Sequence, residues 1–187
     1  MFVVALSLAA VPAIAQTVSP GDPYAGDPVG IVAAPCPAHP APTDGAGWEA
    51  WKRHKMTRDY GQLCRYRAQN DQLKASRTPV RVVFMGDSIT DNWIGADAAL
   101  FTDGVVDRGI SGQTTPQMLV RFREDVIALK PRAVQIMAGT NDIAGNTGPT
   151  TDAQVEGNIM SMDELAQANG IRVILASIPP PDHFEWN

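Results

Sequence analysis

A chain of 187 residues, 44% of them hydrophobic, is long enough for one globular domain with a sizeable core and too short for two. Its net charge of −5 excludes a broad electrostatic attraction to nucleic acid or to an anionic membrane surface. The one local basic cluster, Lys52, Arg53, His54 and Lys55, falls in a helical pattern and reads as a solvated face.

The run from Phe2 to Ala15 is apolar and uncharged, too short to span a bilayer, and broken by Pro12. Ala13-Ile14-Ala15 before Gln16 has the small-x-small form of a signal peptidase site. Residues 1–15 are therefore expected to be a targeting segment without its charged start, and the mature chain to be secreted or periplasmic. A short buried strand or helix is the alternative. Residues 16–47 are rich in Pro, Gly, Ala and Asp, a composition that sustains neither helix nor ladder, so a linker or wrapped extended arm is expected. Cys36 and Cys64 are the only cysteines. They form either one disulfide, which an exported chain permits, or two buried thiols. No Cys/His spacing resembles a zinc site, and no cofactor is expected.

A polar helical stretch is predicted from about Trp48 to Lys74, with Gly61 as a candidate interruption. From Val80 the pattern changes to short apolar runs alternating with amphipathic helices. Val80–Met85, ending at Gly86, reads as a buried strand, and Val105–Asp107 as a second short one. Thr115-Pro116 supplies a cap and a first-turn proline for a helix carrying Met118, Leu119, Phe122, Val126 and Leu129, which Lys130-Pro131 closes. Ala133–Met137 is a third strand. Thr150 or Thr151 caps a helix that Asn169-Gly170 ends, and Ile171–Ala176 is a fourth strand. This alternation predicts a doubly wound parallel α/β sheet, flavodoxin-like and three-layered, with right-handed crossovers. Ligands of such sheets bind outside the carboxyl ends of the strands.

Three short motifs follow those ends. Gly86-Asp87-Ser88 puts a serine at a strand-to-helix turn, where the helix N-terminus favours developing negative charge. It lacks the G-x-S-x-G elbow, because Thr90 stands in place of the second glycine. Arg108-Gly109-Ile110-Ser111-Gly112-Gln113-Thr114-Thr115 lets backbone approach a ligand and leaves an amide unobstructed, or is a plain turn. Gly139-Thr140-Asn141-Asp142 offers a side-chain amide, or a turn-stabilising Asn. Together the Ser88 N–H, the Gly112 N–H and the Asn141 carboxamide would make a three-donor oxyanion hole.

The sequential set FMGDSITDNW, RGISGQTT and GTNDI resembles the SGNH, or GDSL-type, lipase and esterase hydrolases over about Val80–Pro181. The resemblance implies Ser88 as nucleophile and Ser88, Gly112 and Asn141 as oxyanion donors. In that family an Asp followed three residues later by a His comes after a fifth strand. Here His39, His54 and His183 are preceded at that spacing by Cys36, Trp51 and Pro180. The resemblance therefore implies a last strand and helix beyond this chain, roughly 50 residues for a domain of ordinary size. Asp182-His183 is a poor substitute, since adjacent residues rarely adopt relay geometry.

The expected activity is hydrolysis of small-molecule, glycan or lipid esters by an exported enzyme, slow in the chain as it stands. The alternative is a non-catalytic ester- or glycan-binding module that keeps the cleft. Phosphoryl transfer on Asp87 or Asp142 lacks a Walker-type lysine after Gly86. Loops 89–101, 146–150 and 178–187 would shape the substrate pockets, with Trp93, Phe184 and Trp186 either lining them or packed in core and rim.

Overall fold

The computed structural model describes residues 22–39, 42–76, 78–180 and 183. The expected targeting segment, Phe184 and Trp186 lie outside them. The chain divides into two compact units, Met1–Trp51 and Lys52–Asn187. Residues 22–39 contain neither helix nor strand, as their proline content requires. Within the first unit the Tyr24 ring meets His39 edge-on at 4.9 Å and Trp51 at 5.6 Å, and His39 Nε2 stands 3.1 Å from Asp27 Oδ2. Neither Cys36 nor Cys64 is a free thiol.

The helix expected over 48–74 is two helices, α1 (Gly45–Arg58) and α2 (Arg67–Ser76). Gly61 lies in the break and packs closely on a neighbouring helix: a Cβ there would lie 2.6 Å from Val120 Cγ1. The Asp59 carboxylate then closes the turn by accepting from the Leu63 N–H at 2.8 Å and the Cys64 N–H at 3.3 Å.

The second unit is built on four parallel strands in the order β2-β1-β3-β4: β1 (Val82–Gly86), β2 (Val105–Gly109), β3 (Ala133–Met137) and β4 (Arg172–Leu175). Between them run α3 (Ser88–Ala96), α4 (Thr115–Asp125), the short α5 (Thr140–Ile143) and α6 (Asp152–Ala168). Alternate residues of a strand face opposite sides, and β1 obeys this. Val83 and Met85 are buried with Met118 and Phe122 of α4 and Met162 of α6. Phe84 turns the other way and stacks edge-on to Trp93 of α3, 5.5 Å between centroids, and to Phe101. Helices thus cover both faces, giving the expected three layers. The chain leaves β1 for β2 on one side and then crosses to β3 on the other. The switch point, where such sheets open a crevice, lies between β1 and β3.

Some boundaries differ from the sequence reading. The cap of α4 is Thr114 rather than Thr115, because the Gln117 carboxamide reaches back to accept from the Thr114 N–H at 3.1 Å while the Thr115 hydroxyl donates elsewhere. That helix stops at Asp125, and Ile127–Leu129 continue as a 3₁₀ turn. At the end of β2 a Cβ on Gly109 would fall 2.1 Å from the Asp91 backbone nitrogen. Only glycine lets α3 rest directly on that strand. The opposite sheet edge, β4, leaves Ile174 and Leu175 exposed at 49% and 60%.

Candidate active site

Ser88 is the first residue of α3, immediately beyond β1, and is half-buried. Asp87 caps that helix: its Oδ1 accepts from the Ile89 N–H at 3.0 Å, which fixes the turn presenting Ser88. The Asp87 side chain is fully buried, and its Oδ2 has no partner among the described residues. Burial pushes its carboxyl above the ordinary value, and the nearby Asp142 carboxylate adds in the same direction. A raised carboxyl stabilises the fold while protonated, and that contribution is lost as pH rises through the folded-state value. Asp87→Asn keeps the cap without the buried charge. The melting temperature of this variant minus that of the parent is expected to widen in the variant's favour from about pH 4 to pH 7. A gap that stays constant or narrows would refute the assignment.

The loop after β2 is held from two sides. Asp91 Oδ2, one helical turn after Ser88, accepts from the Ser111 N–H at 3.0 Å and the Ser111 hydroxyl at 2.6 Å. Asn146 Nδ2 donates to the Gly112 carbonyl at 3.1 Å. Gly112 has φ +81°, a left-handed conformation that favours glycine, and its N–H has no acceptor among the described residues. Asn141, buried on α5, donates from Nδ2 to the Gln113 carbonyl at 3.0 Å, and its Oδ1 accepts from Asn146 Nδ2 at 2.9 Å. An amide nitrogen carries two hydrogens, so these contacts orient the Asn141 carboxamide and leave it one donor.

Ser88, Gly112 and Asn141 line one cleft of about 540 Å³. The three residues expected from three strand ends therefore come together. Two features were not anticipated. Lys52 and Lys55 border the same cleft; Lys52 is exposed, as a solvated face requires, whereas Lys55 is half-buried. Asn146 ties Gly112 to Asn141, although in the sequence it stands in a Gly/Asn/Thr stretch that reads only as turn chemistry.

Trp93, besides stacking on Phe84, borders a second cleft of about 550 Å³ with Ser88, Ile89 and Met137. His183 is exposed, and no histidine is among the residues lining either cleft. The phosphoryl-transfer reading fails on the carboxylates. The two Asp142 oxygens accept from the Thr115 N–H at 2.9 and 3.2 Å and from its hydroxyl at 2.6 Å, fastening α5 to the start of α4, and Asp87 is wholly buried.

Beneath the cleft lies a buried polar network. The fully buried Arg121 donates to the Gly86 carbonyl at 3.1 Å, to Gln113 Oε1 at 2.6 Å and to Asp125 Oδ2 at 3.0 Å. Asn70 Nδ2 donates to the other oxygen of Asp125 at 2.7 Å. Arg121 thus joins the residue before the Asp87-Ser88 turn to the loop that carries Gly112. Met118, Arg121, Phe122 and Asp125 recur at helical spacing. Two opposite charges inside an apolar stripe were the sequence signal for this pair.

A parallel sheet with helices on both faces and a serine beside a cleft at its switch point places the protein among the three-layer α/β/α hydrolases. The chain belongs to the GDSL-like lipase/acylhydrolase family, whose model matches residues 84–187. It is similar to a candidate acylhydrolase of Bacteroides fragilis, with 48% identity and a TM-score of 0.63 over 69% of this chain and 63% of that one. A GDSL-like lipase of Bacteroides thetaiotaomicron gives 47% identity and a TM-score of 0.64 over 68% and 63%. An acetylxylan esterase of Geobacillus stearothermophilus is 34% identical over 34% of this chain and 40% of that protein. The chain thus spans less than two thirds of the length of each of these relatives. Among the described residues no helix is long and apolar enough to cross a membrane.

Proposed function

We propose that the chain carries the nucleophile and the oxyanion-binding donors of an exported carboxylic ester hydrolase. The observation behind this reading is the convergence of Ser88, Gly112 and Asn141 on one cleft. The Ser88 Oγ attacks the acyl carbon, the C–O π bond opens to an oxyanion, and the Ser88 N–H, the Gly112 N–H and Asn141 Nδ2 receive it. The proton given up by the Ser88 hydroxyl passes to solvent, collapse breaks the ester C–O bond, and the departing alkoxide takes up a proton from solvent; water then adds to the acyl-serine, and the acid leaves as a proton returns to Ser88 Oγ. The apolar cleft against Ile89, Trp93 and Met137 suits a short acyl chain. Export rests on the apolar Phe2–Ala15 run and its small-x-small end.

A neutral serine hydroxyl is a weak nucleophile, and the chain has no Asp-x-x-His pair. Turnover by this chain therefore rests mainly on its oxyanion donors, whose residual contribution without a triad is roughly 10³–10⁴ over water. Fluorophosphonate labelling tests the assignment. The parent is expected to take up the probe slowly at a single site, and Ser88→Ala to lose all labelling while keeping its circular dichroism spectrum. Labelling that survives in Ser88→Ala would remove Ser88 from the role. A parent that stays unlabelled yet binds an acetylated glycan would make the chain a binding module.

A further inference from the structure

Asn146 is exposed, yet its carboxamide is held in a defined direction. Nδ2 donates to the Gly112 carbonyl at 3.1 Å and to Asn141 Oδ1 at 2.9 Å, which commits both of its hydrogens. Asn141 Nδ2 in turn donates to the Gln113 carbonyl at 3.0 Å. The two carboxamides therefore form a short relay with a backbone carbonyl at each end. A carbonyl oxygen only accepts, so both ends dictate the same orientation for the pair. Turning Asn141 over by itself would set its oxygen against the Gln113 carbonyl and its nitrogen against that of Asn146. The loop that carries Asn146 is pinned as well. The Asn146 N–H donates to the Asn141 carbonyl and the Gly148 N–H to the Gly145 carbonyl, both at 3.0 Å, and the Thr147 and Thr114 hydroxyls stand 3.1 Å apart.

We infer that Asn146 is a positioning residue for acyl transfer at Ser88: it holds the Asn141 carboxamide with Nδ2, and not Oδ1, toward the oxyanion, and fastens Gly112 to the same frame. The inference deepens the esterase reading and rests on it. An oxyanion donor is effective when its direction is set before the charge develops. Asn141 serves with the one Nδ2 hydrogen that Gln113 leaves it, and a carboxamide turned over would bring an oxygen toward the forming negative charge. Gln113 fixes one side of that amide and Asn146 the other. A single nitrogen thus makes the placing of two oxyanion donors depend on each other. Asn146 also borders the cleft, but the commitment of both Nδ2 hydrogens to protein acceptors assigns this nitrogen an orienting role, not donation to substrate.

The test compares Asn146→Ala, the isosteric Asn146→Asp, and Asn146→Ala added to Asn141→Ala. The rate of fluorophosphonate labelling at Ser88 is expected to fall about five- to tenfold in Asn146→Ala, the scale of one lost hydrogen bond. It should fall at least as far in Asn146→Asp, whose carboxylate keeps the shape but cannot donate. With Asn141→Ala already present, Asn146→Ala should cost only about twofold more, because the donor it orients is gone and its hold on Gly112 is what remains. The melting temperature of Asn146→Ala should stay within about 2 °C of the parent, as for other exposed positions. A merely structural role would instead lower the melting temperature and cost the same factor with and without Asn141. The hold on Asn141 is read separately, by hydrogen exchange at its Nδ2 in protein carrying ¹⁵N-asparagine, with the signal assigned by its loss in Asn141→Ala. Exchange is expected to quicken about threefold or more in Asn146→Ala. Labelling of Asn146→Asp at the parental rate would overturn the inference, as would equal factors in the two backgrounds or unchanged exchange at Asn141. A parent that takes up no probe while exchange quickens in Asn146→Ala would remove the esterase reading and leave the hold on Asn141 standing.

Discussion

Replacing Arg121 with methionine is expected to cost about 3–5 kcal/mol of stability, the usual effect of removing one partner from a buried ion pair. The side chain is fully buried and has three different acceptors: the Gly86 carbonyl, Gln113 Oε1 and Asp125 Oδ2. Methionine fills much of the volume, so the loss is electrostatic rather than a cavity. It strands the Asp125 charge and leaves the Gly86 and Gln113 oxygens without these donors. For a chain of this size each kcal/mol is about 2–4 °C in melting temperature, so a fall of about 10 °C is the expected reading. Adding Asp125→Asn should recover part of it, because the stranded charge goes. Lysine should not rescue the site, since three divergent acceptors need the planar guanidinium fork. A loss below about 1 kcal/mol, the scale of an exposed ion pair, would show that the network contributes little.

Asn141→Ala is expected to raise the barrier to acylation by about 3–4 kcal/mol, or about 10²–10³ in rate, the usual effect of removing one oxyanion donor. The loss should fall on kcat for short-chain esters and on the rate of fluorophosphonate labelling, with KM little changed. That split matters because the carboxamide also holds the Gln113 carbonyl. A merely structural role would show as a lower melting temperature with proportionate loss in both constants. A rise in KM at constant kcat would place Asn141 in ground-state binding and sink its oxyanion role.

The strands and most helices were legible because their signals are local. Ala133–Met137 was placed without error, since all five of its residues are buried and a short apolar run between turn residues permits little else. The serine, glycine and asparagine were legible by position, because parallel topology sends every strand's carboxyl end to one rim. What escaped depends on distant contacts. The close packing of Gly61 is against Val120, far along the chain. Asn146 acquires its role only when the loops after β2 and β3 meet. Lys55 reads as surface charge because a helical pattern does not say which neighbour its face will meet. Arg121 and Asp125 escaped the sequence reading although they stand as opposite charges inside an apolar stripe, and nothing local shows that the Gly86 and Gln113 oxygens accept from the Arg121 guanidinium.

The β4 edge also bears on where the sheet can grow. Among the described residues this strand pairs only with β3, so its outer row of backbone donors and acceptors is open to another strand. Ile174 and Leu175 supply apolar side chains beside that row, and Arg172 is the only charge on the strand to oppose its growth. Such an edge is a template for intermolecular pairing. A further strand that came to lie there would extend the sheet in parallel register and cover Ile174 and Leu175.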